Sequence, residues 1–355
     1  MPPLDPRDLE EIVSLTEPLW EEVRGQRIFL TGGTGFFGCW LIESFLRANQ
    51  KFSLNAEMVV LTRSWPNFLL RCPHLANNPA LAAVEGDVRS FPFPEGEFAF
   101  VLHAAADTGD VRTGNTTNGA LSTLSTIFEG THRTLEFAAT HGTRKFLMVS
   151  SGAVYGAQPT SITHLPEDYR GAPDPCQAAS AYGEAKRAAE ALCAAYAGSS
   201  SLVPKIARCF AFVGPHLPLQ GSYAIGNFIR SAIASQTIRI SGDGTPLRSY
   251  LYATDLAVWL WTILFKAPAL QPINIGSHQA LSIGDLAREV QAALNPELTI
   301  EVVGRPLPDV LPSRYVPSTQ RAFDELGLRQ TVELRDAIQR TAAWHGWARD
   351  QEHHL

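Results

Sequence analysis

Between the apolar run Ile28-Phe29-Leu30 and a stretch with helical apolar spacing at Leu41, Ile42, Phe45 and Leu46 lies Thr31-Gly32-Gly33-Thr34-Gly35-Phe36-Phe37-Gly38. Strand, glycine turn and helix in that order open a βαβ unit that grips a dinucleotide. Gly32 and Gly35 let the backbone approach a pyrophosphate, Gly38 lets helix and strand pack closely, and the helix N-terminus offers free N–H groups. Glycines alone would also suit a simple tight turn; the flanking strand and helix favour the cofactor.

The rest of the chain repeats the alternation. Residues 58–62, 82–85, 98–103 and 145–150 read as strands, with helical patterns at 38–48, 121–140 and 180–196, so the fold expected is α/β with a mostly parallel, doubly wound sheet. Beyond Lys186 the pattern loosens into a strand at 205–211, a helix at 225–235, short strands at 238–241 and 300–303, and helices at 253–265, 283–294, 320–326 and 334–344. Many of the chain's Pro and Gly residues fall there, which suits a small, loop-rich unit over the sheet's carboxyl edge. Residues 1–24 read as an amphipathic helical extension broken near Pro18, lying on the same chain or against another subunit.

Tyr182 and Lys186 sit four residues apart within the 180–196 helix, and so share one face. A phenol ionises near pH 10 in water, and a neighbouring ammonium favours the phenolate, so such a Tyr can exchange a proton with an alcohol becoming a ketone. Many solvated helices carry the same pair without chemistry.

Composition is compatible with an enzyme. The 355 residues are 45% hydrophobic, enough for a sizeable core, and a net charge of −6 with no basic, aromatic-interleaved run gives no reason to expect nucleic acid. Five cysteines, at 39, 72, 176, 193 and 209, are odd in number and lack metal-ligand spacing, so no metal is expected and reduced thiols of a cytoplasmic protein are. The apolar stretch 256–265 is too short to span a bilayer, and the first residues are too acidic for a signal peptide. His164, His216 and His278 read as loop hydrogen-bonders, Trp259 and Trp261 as core, and His353-His354 as tail.

TGGTGFFG at 31–38, HAAA at 103–106, SSGAVYG at 150–156, YGEAK at 182–186, RCFAFVGP at 208–215 and RSYLYATDLA at 248–257 occur in the order seen in extended short-chain dehydrogenases/reductases. The chain resembles that family's nucleotide-sugar branch of epimerases, dehydratases, decarboxylases and ketoreductases over roughly 27–345. The resemblance implies a Rossmann-like NAD(P) domain (25–205, interleaved with later segments) and a smaller mixed α/β C-terminal domain mainly for the nucleotide-diphosphate sugar (206–345), which leaves an N-terminal extension (1–24) and a tail (346–355) outside it. It implies a catalytic trio of Ser151, Tyr182 and Lys186, in which Ser151 holds the reacting oxygen, Tyr182 moves the proton and Lys186 tunes the phenol and binds the nicotinamide ribose.

Cofactor contacts implied by the resemblance are Gly32, Gly35, Phe36, Phe37 and Gly38 in the loop, Asp87 and Val88 beside the adenine, and Ala104 and Ala105 under the pyrophosphate. NAD and NADP both stay open: the second strand ends in Thr62-Arg63-Ser64 without the carboxylate that would hold a ribose 2′-hydroxyl, and Arg63 could meet a 2′-phosphate or simply be solvated. Arg248 and Arg305 match positions that grip the diphosphate, against an alternative of surface ion pairs with Asp255 or Asp309. Ala211 stands where the family often has Asn, and Asn227 could compensate.

Gly152 and Ala153 occupy the positions where the family's dehydratases carry an Asp-Glu pair and its decarboxylases commonly a Glu at the second. Small residues there resemble the 4-epimerases, and the reading favoured is C4 epimerisation through a 4-keto sugar on tightly bound cofactor, with Gly152 at the substrate. The alternatives are an NADPH-dependent 4-ketoreductase, then a dehydratase or decarboxylase, and, outside enzymes, an NADP-sensing regulator. The family resemblance also implies a homodimer.

Overall fold

Successive residues of the early strands alternate between two apolar layers, and this sets the architecture. In the computed structural model, which describes residues 1–106, 117–221, 223–306, 308 and 310–348, Ile28 and Leu30 enter one buried cluster while Phe29 enters another. Met58 and Val60 against Val59 and Leu61, and Phe100 and Leu102 against Val101, divide in the same way. A strand turns successive side chains to opposite faces, so apolar residues on both call for helices on both sides.

The strands are β1 (Arg27–Thr31), β2 (Glu57–Thr62), β3 (Leu81–Glu85), β4 (Phe100–His103), β5 (Lys145–Ser151), β6 (Val203–Cys209) and a late seventh, β11 (Pro272–Ile275). They pair in the order β11-β6-β5-β4-β1-β2-β3, all parallel. β1 lies between β2 and β4, so the order reverses there, and a crevice opens beyond the carboxyl ends of these strands. One face is covered by α1 (Pro6–Leu15), α2 (Phe36–Phe52) and α7 (Ala253–Lys266), the other by α4 (Thr117–Thr140) and α5 (Ala181–Ser199).

The loop-rich part is built from short pairs. β7 (Phe212–Val213) joins β10 (Leu251–Tyr252), β8 (Ile238–Ile240) joins β13 (Ile300–Val302), and β9 (Leu247–Arg248) lies between β12 (Leu281–Ser282) and β14 (Arg314–Tyr315). The helices α6 (Ala224–Ile233), α8 (Ile283–Leu294) and α10 (Leu334–Trp344) pack together, and α9 (Gln320–Leu326) lies against β11.

Three sequence expectations are adjusted. The strand at 205–211 runs instead from Val203 to Cys209, taking in Pro204, which the sheet accepts. β11 was not expected, because Pro272 and Asn274 interrupt its apolar pattern; Asn274 is buried, and its amide donates to Leu165 O at 2.8 Å and Ser318 O at 3.2 Å. α3 (Trp65–Arg71) was also not expected, although Ser64 Oγ accepts from Asn67 N as an N-cap.

The N-terminal extension packs on its own chain. Thr16 separates α1 from a 3₁₀ segment at Glu17–Val23, Trp20 lies 4.9 Å from Trp261 between ring centroids, and buried Asp8 accepts from Tyr252 and pairs with Arg340. Trp259 and Trp261 are core residues as expected. No helix among the described residues is long and apolar enough to cross a membrane. His353-His354 lies outside the described residues.

Candidate active site

A cavity of about 700 Å³ occupies the crevice where the strand order reverses. Its floor is the glycine turn. Gly32 has φ +72°, and a Cβ there would stand 2.6 Å from the backbone between Ala104 and Ala105; Gly38 lies so close to Gly33 that a Cβ would reach 2.3 Å. Gly38 therefore packs helix on turn and does not line the cavity itself. Gly35 begins α2 with no side-chain cap, which leaves the first-turn N–H groups for a ligand. These features fit a dinucleotide pyrophosphate, as does the wall of small residues at Ala104 and Ala105.

That wall is fixed from behind by His103. Thr31 Oγ1 accepts from Ala105 N at 3.2 Å and lies 2.8 Å from His103 Nδ1, while His103 Nε2 lies 3.0 Å from Thr131 Oγ1. Complete burial, helped by the Lys186 charge, takes the imidazole down to about 3, so it is neutral at neutral pH.

The three residues of the expected catalytic trio line one cavity. Ser151 ends β5 and accepts from Ala153 N at 3.2 Å, so it caps its own loop and also faces the cavity. Lys186, one turn after Tyr182 on α5, is 2% exposed and donates to Val149 O at 2.7 Å. Burial lowers its ammonium to about 8, with Cys209 and Glu190 working against the shift. Its Nζ lies 6.0 Å from the Tyr182 ring centre, close enough for its charge to act on the phenol.

A network holds this end in place. Glu190 accepts from Ser150 Oγ at 2.6 Å and receives both Arg208 Nε at 3.0 Å and Nη2 at 2.6 Å; Arg208 Nη1 donates to Tyr155 Oη at 3.0 Å, and Tyr155 donates to Asn274 at 2.8 Å. Burial opposes the Arg208 charge, yet Glu190 outweighs it and the guanidinium stays ionised.

At the far end lie Arg63, Asp87 and Val88, together with Arg71 and Arg89, which sequence reading did not single out. Arg89 grips Asp87 through Nε at 2.7 Å and Nη2 at 2.8 Å, and this bond holds the carboxyl below its ordinary value. Phe36 and Phe37 also line the cavity.

The substrate expectations fare differently. Gly152 is not on the cavity: the volume a side chain would need is taken by Phe210 Cζ and the Tyr315 hydroxyl, each 2.7 Å from an added Cβ, so the glycine makes room for protein and not for sugar. Asn227 turns its amide to Gly221 O at 2.7 Å, Arg248 donates to Leu247 O at 2.8 Å, and Arg305 is exposed; none of these three lines the cavity. Asp255 is buried against Thr331 and Val332 and forms no ion pair with Arg248, and Asp309 lies outside the described residues. Phe210, Ala211, Phe212, Leu217, Pro218 and Tyr223 form this part of the wall. Phe210 and Phe212 stood within the quoted RCFAFVGP motif, but Tyr223 carried no local signal.

The histidines divide. His164 Nε2 lies 2.9 Å from His278 O, a loop hydrogen bond as expected. His216 is instead buried, with no hydrogen-bond partner for Nε2 among the described residues, and the fold brings it together with Cys39 and Cys72 despite their unpromising spacing.

The sequence profile of the NAD dependent epimerase/dehydratase family matches residues 28–276. The chain belongs to this family. Among similar proteins, UDP-glucuronic acid decarboxylase 1 of Arabidopsis thaliana is 28% identical over 315 residues, spanning 88% of this chain and 68% of that protein. The Xenopus tropicalis protein of the same name is 26% identical over 328 residues, spanning 92% and 73%. Among solved structures, the UDP-N-acetylglucosamine 4-epimerase of Methanobrevibacter ruminantium superposes with a TM-score of 0.75 at 16% identity, over 91% of this chain and 98% of that one. A dTDP-glucose 4,6-dehydratase from Streptomyces venezuelae gives 0.74 at 23% identity, over 90% and 97%. At these identities the structural likeness speaks for the fold. As a member of the epimerase/dehydratase family the chain is an enzyme, and its class is nucleotide-sugar modification.

Proposed function

We propose that the protein is a nucleotide-sugar 4-epimerase that uses NAD or NADP. The observation that carries this reading is the chemistry of the cavity wall. Among its described residues the one carboxylate is Asp87, already bound by Arg89 beside Arg63, while Ser151 has no acidic neighbour lining the cavity. A site so equipped can move a proton at one carbinol and has no described carboxylic acid or base for a second elimination step.

A bound nicotinamide would supply a reversible hydride acceptor. Tyr182 takes the C4 hydroxyl proton and gives it back. Lys186, charged below about pH 8 and pointed by Val149 O, favours the phenolate. Ser151 hydrogen-bonds the C4 oxygen as it becomes a carbonyl. Return of hydride to the opposite face of C4, with the Tyr182 proton going back to the C4 oxygen, would invert C4 with no net redox change.

A second reading is UDP-glucuronate decarboxylation, favoured by the names of the similar Arabidopsis and Xenopus proteins. Oxidation at C4 of a uronate makes a β-keto acid, whose loss of CO₂ needs only the carbonyl as electron sink. The test is incubation of the purified enzyme and cofactor with UDP-, dTDP-, GDP- and CDP-sugars, UDP-glucuronate among them, followed by proton NMR. A 4-epimer forming with no net NAD(P)H is expected. CO₂ release from UDP-glucuronate, or stoichiometric NADPH consumption on a 4-keto sugar, would replace epimerisation by decarboxylation or ketoreduction.

A further inference from the structure

Where α2, the end of α3 and the turn after Gly214-Pro215 come together, three chain-distant soft and borderline donors meet in the interior. One donor atom each from Cys39, Cys72 and His216 can be chosen so that all lie within 4.8 Å of one another, and all three residues are buried. Cys39 is in the first turn of α2, Cys72 ends α3, and His216 follows Gly214-Pro215 in a left-handed conformation, φ +68°. A β-carbon-bearing residue in that region is uncommon, and here it turns the imidazole inward.

A fourth donor stands beside them. Glu43, one helical turn after Cys39, is 4% exposed, and its Oε1 lies 3.6 Å from His216 Nε2. Both atoms are buried and have no hydrogen-bond partner among the described residues. The other carboxylate oxygen is fixed by Leu4 N at 2.9 Å, and His74 Nε2 stands 3.2 Å from Oε1. A carboxylate oxygen with only the His74 ring beside it, and an imidazole nitrogen with no hydrogen bond, are costly to hold in the interior. An occupant that satisfies both removes that cost.

We infer that Cys39, Cys72, His216 and Glu43 form a structural zinc site. Two thiolates, an imidazole and a carboxylate are a donor set suited to Zn²⁺, and tetrahedral bonds of roughly 2.0–2.3 Å bring ligand atoms to within about 3.3–3.8 Å of each other. The Cys39, Cys72 and His216 donors already stand within 4.8 Å of one another, and Glu43, 3.6 Å from His216 Nε2, would complete the set by turning its carboxylate toward the sulfurs. The metal would tie the amino-terminal segment at Leu4, α2, the end of α3 and the turn before Leu217 and Pro218 into one unit. Those two residues line the cofactor cavity, so the ion braces its wall without touching the reacting groups.

The experiment uses the full chain, isolated under reducing conditions, given equimolar Zn²⁺ and passed through gel filtration. Inductively coupled plasma mass spectrometry is expected to find one zinc per chain, and Co²⁺ in its place is expected to give thiolate charge-transfer bands and tetrahedral d–d absorption. Cys39→Ser/Cys72→Ser and His216→Asn lose the metal to background, while Cys176→Ser, at an exposed thiol, keeps it. A wild-type chain that emerges free of metal, a Co²⁺ spectrum without thiolate bands, or zinc retained by the double variant would overturn the site. The cobalt spectrum is read on unaltered protein, so poor folding of a variant leaves the inference open to refutation. A Cys39–Cys72 disulfide as the sole form in freshly isolated protein would equally reject it.

Discussion

The proposed nucleotide end of the cavity, at the glycine turn, and its proposed sugar end, at Phe210 and Tyr223, are built by different means. At the nucleotide end the lining comes from short, continuous stretches: the turn at Gly32 to Phe37, the pair Asp87-Val88, and Ala104-Ala105. At the sugar end Phe210, Leu217 and Tyr223 converge from loops, while Asn227, Arg248 and Arg305 make other arrangements. A pyrophosphate is bound mainly by backbone, and backbone geometry is written locally in glycines. A sugar pocket depends on which distant loops meet, which no short stretch specifies.

The trio sits where the two ends join, and it carries the largest expected effect. Tyr182→Phe keeps the ring and removes the proton carrier, so turnover should fall by roughly 10²–10⁴-fold with cofactor binding intact. Steady-state kinetics with a cofactor titration checks both halves. Unchanged turnover would mean that the proton leaves by another route, and the chemical centre would have to be sought elsewhere in the cavity.

Arg63→Ala tests the nucleotide end. If Arg63 meets a 2′-phosphate, loss of that charge-assisted contact weakens NADP⁺ by about 1.5–3 kcal/mol, ten- to more than a hundredfold, and leaves NAD⁺ within about twofold. Equal weakening of both would assign Arg63 a general electrostatic part.

Gly152→Ala tests the sugar end, where a methyl must displace Phe210 and Tyr315. Overpacking of this kind costs about 1–3 kcal/mol of stability, read by denaturant melts, and should raise the sugar KM with little change in cofactor affinity. A neutral substitution would show that the two rings move freely and that the pocket above Gly152 opens for substrate.

This contrast also explains what the sequence could and could not convey. The sheet was legible because the apolar run at Ile28 to Leu30 and the glycine spacing are local, and the i, i+4 pair placed Tyr182 and Lys186 on one helix face, whereas Ser151 was reached only through the family resemblance. β11 was hidden because Asn274 breaks an apolar pattern for the sake of Leu165, Ser318 and Tyr155, all far along the chain. The smallness of Gly152 has two uses, and only the fold shows that Phe210 and Tyr315 fill the space a side chain would need. The same reason hid the Cys39, Cys72 and His216 cluster.

His103 provides a pH test confined to the nucleotide end. Its folded-state value near 3 lies below the ordinary 6.5, so both states are neutral above pH 6.5 and nothing changes there. As pH falls from 6.5 toward 3 the unfolded chain takes up a proton that the folded one refuses, and stability drops by about 1.4 kcal/mol per pH unit from this group. Urea melts across that window should show the slope, and His103→Asn should lack this part of it.

The smallest effect is expected at Arg305. Its side chain is exposed and away from the cavity wall, so Arg305→Ala should change stability by less than about 0.5 kcal/mol and the sugar KM by less than about twofold. Family resemblance argues the other way, since an arginine here would clasp the diphosphate. If the KM rises tenfold with stability unchanged, the sugar end completes itself by bringing Arg305 inward on binding. The difference between the two ends would then be one of timing: the nucleotide end is formed in advance by backbone, and the sugar end is closed by the ligand's own charge.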